Sequence, residues 1–196
     1  MNIENFVREE TRDYDSSHDY YHAKTVVTNI EKILTEIDIN YLKEDDFDPK
    51  KIIIMAGWLH DICDHKYNYS VDKLLRLHQF IWKNSNIKEA EMIIKIIDNI
   101  SYRREVEGKM EYFGKYQILR DIVSDADKLE ALGETGLERC RIFGSLTIKD
   151  NNELEKKIKK HCYEKLLKLK SGYIRTPIGK KLAEPLHQII LDYVQK

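Results

Sequence analysis

The sequence is poor in residues that interrupt helices, since its 196 residues include eight glycines and three prolines. The many turns of an all-β sandwich or barrel draw heavily on glycine and proline, so their scarcity argues against that architecture and favours long helices. We expect an all-α fold of about seven to nine helices, with no sheet, in a single domain over residues 1–196.

Cysteine is also scarce, and the three cysteines lack the paired spacing of a disulfide framework or a zinc knuckle. Unpaired thiols in odd number are typical of a reducing compartment. Residues 1–11 are charged and lack the apolar segment of a signal peptide. The longest apolar run, Ile52–Leu59, is far shorter than the roughly 20 residues that span a bilayer. The sequence therefore predicts a cytoplasmic protein without a membrane partner.

An excess of charge of either sign is missing as well. The 33 lysines and arginines are balanced by 34 aspartates and glutamates, which gives a net charge of −1. Such a chain has no general attraction to nucleic acid polymers or anionic membranes. We expect neither as a partner, and the sequence leaves open whether the chain forms a homodimer.

What the sequence does contain is an apolar run that ends abruptly in His60 and Asp61. Asp48 and Pro49 just ahead of the run suit an N-cap and the first position of a helix extending to about Cys63. Neighbouring helical residues point about 100° apart, so both side chains can reach one atom beside the helix end. A divalent cation is one interpretation; a satisfied core histidine beside a helix-end carboxylate is the other.

A second helix is predicted to start near Ser16, which with Asp19 resembles a capping box. His22 lies on the apolar stripe of this helix, and His18 lies four residues earlier on the same face. Core packing or capping would explain either histidine alone. Two histidines on one inward face near a helix start favour a functional site.

A third candidate element is the helix predicted over residues 116–132, which carries Asp125 and Asp127. Two residues of a helix are separated by about 200°, so the two carboxylates cannot face the same ion. Asp127 shares the inward stripe with Leu119 and Val123. We expect Asp125 to lie nearer Asp121 and Lys128. A buried carboxylate needs a partner, which is either a cation or a nearby lysine.

The remaining helix periodicities are simpler to interpret. We expect a loop over residues 101–114, a short helical turn over 133–143, a long helix over 154–170, and a last helix that Thr176 and Pro177 cap. Together, His22, His60, Asp61 and Asp127 offer two imidazoles and two carboxylates. This mixed set suits Mn, Ni, Co, Fe or Zn better than Ca, with Mg as a further candidate.

The ordered pattern His, His-Asp, Asp on separate helices resembles the HD-domain phosphohydrolase superfamily. The resemblance extends along nearly the whole chain, to residues 17–22, 59–66, 125–129, 133–137 and 161–166. These segments look like a subgroup of small proteins that includes bacterial nucleotide pyrophosphohydrolases.

The resemblance implies a helical HD domain with a metal-binding core at about residues 16–132 and further helices at about 133–196. His22, His60, Asp61 and Asp127 would be the metal ligands. It also places His18, Asp64 and Lys66 beside the metal as catalytic residues. Lys66 would neutralise a phosphate oxygen, and Asp64 or His18 would orient the attacking water.

The activity implied is metal-dependent hydrolysis of a phosphorylated small molecule, in which water activated by the metal attacks phosphorus. Cleavage of a nucleoside triphosphate to monophosphate and pyrophosphate is the first choice. A nucleotide monophosphatase or cyclic-nucleotide phosphodiesterase of the same fold is an alternative, and a non-catalytic nucleotide-binding module is another.

Overall fold

The structure is a computed structural model that describes residues 2–64 and 70–196. Within these ranges the chain forms ten α-helices and no β-strand, which confirms the predicted all-α class. The helices are α1 (Ile3–Glu10), α2 (Tyr20–Leu34), α3 (Pro49–Leu59), α4 (Val71–Asn84), α5 (Ile87–Asp98), α6 (Tyr102–Val106), α7 (Gln117–Glu130), α8 (Gly133–Ser145), α9 (Asn151–His161) and α10 (Pro177–Gln195).

The helix starts follow capping chemistry, with one correction to the sequence prediction. The Asp48 carboxylate accepts hydrogen bonds from the Lys50 and Lys51 amides at 3.0 and 3.1 Å, and Pro49 opens α3 as predicted. The predicted capping box at Ser16 is wrong. The cap of α2 is Asp19, whose carboxylate accepts from the Tyr21 and His22 amides.

Three stretches differ from the predicted elements. The expected loop over 101–114 contains the short helix α6, and the expected turn over 133–143 is the 13-residue helix α8. The predicted helix over 154–170 is α-helical to His161 and again at Leu167 and Lys168. It continues as two π-helical segments, Cys162–Leu166 and Leu169–Tyr173. Wider π turns of this kind are often found near functional sites.

Helices α2, α3 and α7 pack against one another at the centre of the fold. α3 is apolar on nearly every face, and Ile52, Ile53 and Leu59 are fully buried. Gly57 allows the close crossing of α2, because a Cβ atom there would lie 2.5 Å from Ile30 Cδ1. This packing brings together the first turn of α2, the end of α3 and the last turn of α7.

None of the helices in the described ranges combines the length and the apolar character that crossing a membrane would require.

Candidate metal centre

Four side chains converge where α2, α3 and α7 meet. His22 Nε2 lies 3.1 Å from His60 Nε2 and 3.0 Å from Asp61 Oδ2, and His60 Nε2 lies 3.4 Å from the same carboxylate oxygen. Asp127 Oδ1 lies 3.6 Å from His22 Nε2 and 3.8 Å from His60 Nε2. The structure thus brings together the four residues that the sequence singled out.

The two imidazoles are fixed through their other ring nitrogens. His60 Nδ1 donates to the Gly57 carbonyl at 2.9 Å, and His22 Nδ1 forms a short hydrogen bond to the buried Glu130 carboxylate. Each bond leaves Nε2 directed at the neighbouring histidine and the two aspartates. Carboxylate and backbone-carbonyl partners of this kind are what metal-ligating histidines usually have.

Glu130 is held in turn by Arg139 of α8. Arg139 Nη1 lies 3.2 Å from Glu130 Oε2, and its Nη2 donates to the Ser17 carbonyl. The guanidinium therefore connects α8 to the carboxylate behind His22 and to the segment that precedes α2. Arg139 thereby holds in place both the carboxylate that bonds His22 Nδ1 and the segment that leads into α2.

The electrostatics of the four side chains are strongly coupled. Burial alone would lower the pKa of His60, but the charge of Asp61 and a hydrogen bond to Asp127 raise that pKa well above its usual value. Burial would raise the pKa of Asp61, yet the charge of His60 and the hydrogen bond to His22 bring it well below its usual value. The carboxylates thus hold positive charge at this point, in the form of protons or of a cation.

The donor set fits a divalent metal ion. Ligands about 2.1 Å from an ion lie roughly 3.0 to 3.4 Å apart in octahedral or tetrahedral geometry, and the shorter separations in the cluster fall in this range. An ion between the two imidazoles would accept a lone pair from each Nε2, and these two atoms lie 3.1 Å apart. One donor atom each of His22, His60 and Asp61 lies within 4.8 Å of the others, which a shared ion explains.

Asp125, which the sequence analysis did not choose as a ligand, has a structural role. Its side chain is fully buried beside the segment that leads into α10, whose N-cap is Thr176. Its carboxylate accepts from the Arg175 amide at 2.8 Å and from the Thr176 amide and hydroxyl at 2.7 Å. The carboxylates of Asp125 and Asp127 therefore have separate sets of neighbours.

His18 and Asp64 lie at the edge of the cluster. Ser17 Oγ donates to Asp15, and His18 Nδ1 lies 2.6 Å from the same hydroxyl oxygen, so this ring nitrogen carries a proton. His18 Nε2 then lies 3.8 Å from Asp64 Oδ2. One atom each of His18, Asp61 and Asp64 lies within 4.8 Å of the others. Lys66, the third predicted catalytic residue, lies outside the described residues.

The cluster opens into a cavity of about 760 Å³. Its wall includes His60, Asp61 and Asp127, the cations Arg103, Arg139 and Lys165, and the further carboxylates Asp64 and Asp98. Lys165 belongs to the first π-helical segment, and its Nζ lies 5.0 Å from the centre of the Tyr102 ring. A metal centre beside several cations is suited to an anionic ligand with more than one charge.

Comparisons with known proteins bear on the fold. No family model matches the chain. The uncharacterized Bacillus subtilis protein YpgQ is 26% identical over 99% of this chain and 89% of its own length. The crystal structure of YpgQ in complex with ADP superposes with a TM-score of 0.69 at 22% identity, covering 98% of this chain and 89% of that chain.

A second solved structure has a similar fold. An HD-superfamily hydrolase from Bacillus thuringiensis gives a TM-score of 0.67 at 23% identity, over 98% of this chain and 91% of that chain. The chain has the fold of this HD-superfamily hydrolase.

Sequence analysis missed two residues that this HD fold places beside the candidate ligands. Glu130 follows Asp127 by three residues, a spacing that puts two side chains on one side of a helix, and this was an available signal. Arg139 carries no comparable signal. It reaches Glu130 because the chain turns sharply between α7 and α8 at Gly133, whose φ is 68°.

Proposed function

We propose that the protein is a divalent-metal-dependent phosphohydrolase that acts on nucleotides. The reaction we propose first is cleavage of nucleoside triphosphates to monophosphate and pyrophosphate. The observation that carries this proposal is the convergence of His22, His60, Asp61 and Asp127 at 3.0 to 3.8 Å beside a cavity lined by cations. The ADP complex of YpgQ supports a nucleotide as the ligand.

In this proposal His22, His60, Asp61 and Asp127 hold the ion. A divalent metal lowers the pKa of water and stabilises negative charge on phosphate oxygens. The preferred metal among Mn, Ni, Co, Fe, Zn and Mg is part of what the experiment below determines.

Side chains of the protein would bind the phosphates and transfer the proton. Arg103, Arg139 and Lys165 line the cavity and bind phosphate oxygens. Ser17 holds His18 Nδ1, which directs Nε2 toward Asp64 at 3.8 Å; in this role the neutral His18 takes a proton from water, and Asp64 stabilises the resulting charge. Lys66 keeps its proposed role as a cation for the phosphate.

The test is a panel of nucleoside mono-, di-, tri- and cyclic phosphates, assayed with Mn, Ni, Co and Mg, with the products resolved by chromatography. Asp61→Ala should abolish both metal binding and turnover. Lys66→Ala should keep the metal and lower turnover by roughly two to three decades. Asp45→Ala changes an exposed aspartate that does not line the cavity and is the matched control.

The products separate the alternatives. Pyrophosphate with a monophosphate supports the first activity, whereas inorganic phosphate or opening of a cyclic phosphate supports the other hydrolases of this fold. Nucleotide binding without release of any product would identify a non-catalytic module and overturn the proposal.

A further inference from the structure

A second cavity, of about 360 Å³, lies between α8, α9 and the first π-helical segment. This volume is at the lower end of ordinary small-molecule pockets, which begin at roughly 300 Å³. The metal ligands named above are not among its lining residues. Its wall is mostly apolar and includes Cys140, Phe143, Gly144, Leu154, Ile158 and Leu166.

The two cavities adjoin each other. His18, Ala131, Arg139 and Lys165 line both of them. The positive charges of Arg139 and Lys165 therefore lie between the apolar cavity and the metal cluster. A ligand that spans this junction would have an anionic part at the metal and an apolar part at the other end.

The edge of the apolar cavity is polar. His161 lines it, and burial followed by the charge of Lys165 lowers the pKa of this histidine, so its imidazole is neutral near pH 7. A neutral imidazole offers one donor and one acceptor, as the edge of a nucleobase does. Phe143, which is 54% exposed, presents an aromatic ring on the same wall.

We propose that the 360 Å³ cavity binds the nucleoside part of the substrate, with Phe143 contacting the base and with Arg139 and Lys165 contacting the phosphates that link it to the metal centre. This inference rests on the proposed function and adds the location of the base. It predicts that the nucleoside contributes binding energy that a bare polyphosphate lacks.

Two variants alter the cavity in opposite ways. Phe143→Ala removes the aromatic ring, and Cys140→Phe fills the space with a larger side chain. The control is Leu146→Ala, which shortens another exposed apolar side chain at the end of α8 and does not line the cavity. Phe143→Ala keeps the test valid if Cys140→Phe does not fold, because Phe143 lies largely at the surface.

The experiment compares the best nucleoside triphosphate of the panel with inorganic tripolyphosphate. Both cavity variants should raise KM for the nucleotide at least about fivefold, because Phe143→Ala loses stacking on the base and Cys140→Phe fills the space that the base would occupy. KM for tripolyphosphate should stay within about twofold in every variant, and Leu146→Ala should match the wild type. Calorimetry on metal-free protein adds a second readout, with ADP, GDP, CDP, UDP and pyrophosphate as probes.

In the calorimetric titrations the wild type should bind the best nucleoside diphosphate more tightly than pyrophosphate, and Phe143→Ala should lose that preference. Equal effects of the variants on both substrates, or no preference for a nucleoside in the wild type, would overturn the assignment of the cavity. Hydrolysis of both substrates in that case would leave the proposed function standing. Hydrolysis of neither would refute the proposed function itself.

Discussion

Asp125 and Asp127 are separated by one residue on α7, and their carboxylates have different neighbours. Asp125 accepts three hydrogen bonds at the start of α10, while Asp127 lies beside His22 and His60. Asp125→Ala leaves those buried donors without a partner and should lower the free energy of unfolding by about 2–5 kcal/mol. Metal binding by the fraction that remains folded should be retained.

Asp127→Ala should instead remove the metal and leave the stability of the metal-free protein nearly unchanged. The side chain is 32% exposed, so we expect the free energy of unfolding of the metal-free protein to change by less than about 1 kcal/mol. Metal content after dialysis should fall to background. Urea denaturation and elemental analysis of both variants test the pair, and loss of metal in Asp125→Ala with retention in Asp127→Ala would reverse the assignment.

Glu130 acts on the ion only through His22. Glu130→Gln keeps the size of the side chain but removes the charge opposite His22 Nδ1, so metal affinity should fall by about 10- to 100-fold. Glu134→Gln, at an exposed position in the first turn of α8, is the matched control. Titration calorimetry with Mn²⁺ measures both variants, and equal affinities would show that Glu130 does not tune the site.

The reach of sequence reasoning at this scale is set by helix geometry. His22, His60 and Asp127 could be placed on inward faces because the helical repeat fixes the side of each helix that meets the core. The position of Arg139 depends on the turn between α7 and α8, and the burial of Asp125 depends on where α10 begins. Both are tertiary contacts that no local periodicity reports.

Among the helices, the short α6 is held in place by buried ion pairs rather than by its own few backbone hydrogen bonds. Glu105 of α6 is 2.8 Å from Arg120 Nη2 and 2.6 Å from Lys128 Nζ, and all three side chains are at most 3% exposed. Residues 101–114 are polar and contain two glycines, which is why the sequence suggested a loop, and a five-residue helix has little stability alone. The cluster fixes the segment whose Tyr102 and Arg103 line the larger cavity.

Glu105→Gln should therefore destabilise the protein by about 3–5 kcal/mol, because it removes the carboxylate that pairs with buried Lys128 and leaves buried Arg120 with Asp121 alone. Glu107→Gln is a close control, since Glu107 is exposed and pairs with Arg103 and Lys109 at the surface. Surface pairs contribute little, so this change should stay within about 1 kcal/mol. Similar losses in the two variants, measured by urea denaturation, would contradict a structural role for the buried cluster.

At the scale of the whole molecule, the candidate ligands belong to three parts of the chain that are far apart in sequence. His22 lies on α2, His60 and Asp61 follow α3, and Asp127 lies on α7. These helices already form the buried centre of the fold without an ion, through Ile30, Ile53 and Val123, each fully buried. The ion is thus expected to add stability to a folded protein rather than to induce folding.

That expectation gives a quantitative prediction. A metal that binds only the folded state at a concentration of 100 Kd adds ~2.7 kcal/mol, because binding shifts the unfolding equilibrium by mass action. For a chain of 196 residues this corresponds to a rise in Tm of about 5–10 °C. Scanning fluorimetry of EDTA-treated protein with increasing Mn²⁺ should show this rise, and Asp127→Ala should show none.

A cooperative transition should also persist in EDTA, since the helical core is complete without the ion. An unfolded metal-free protein, or an equal rise in Asp127→Ala, would show that the ion stabilises the molecule in some way other than by joining α2, α3 and α7.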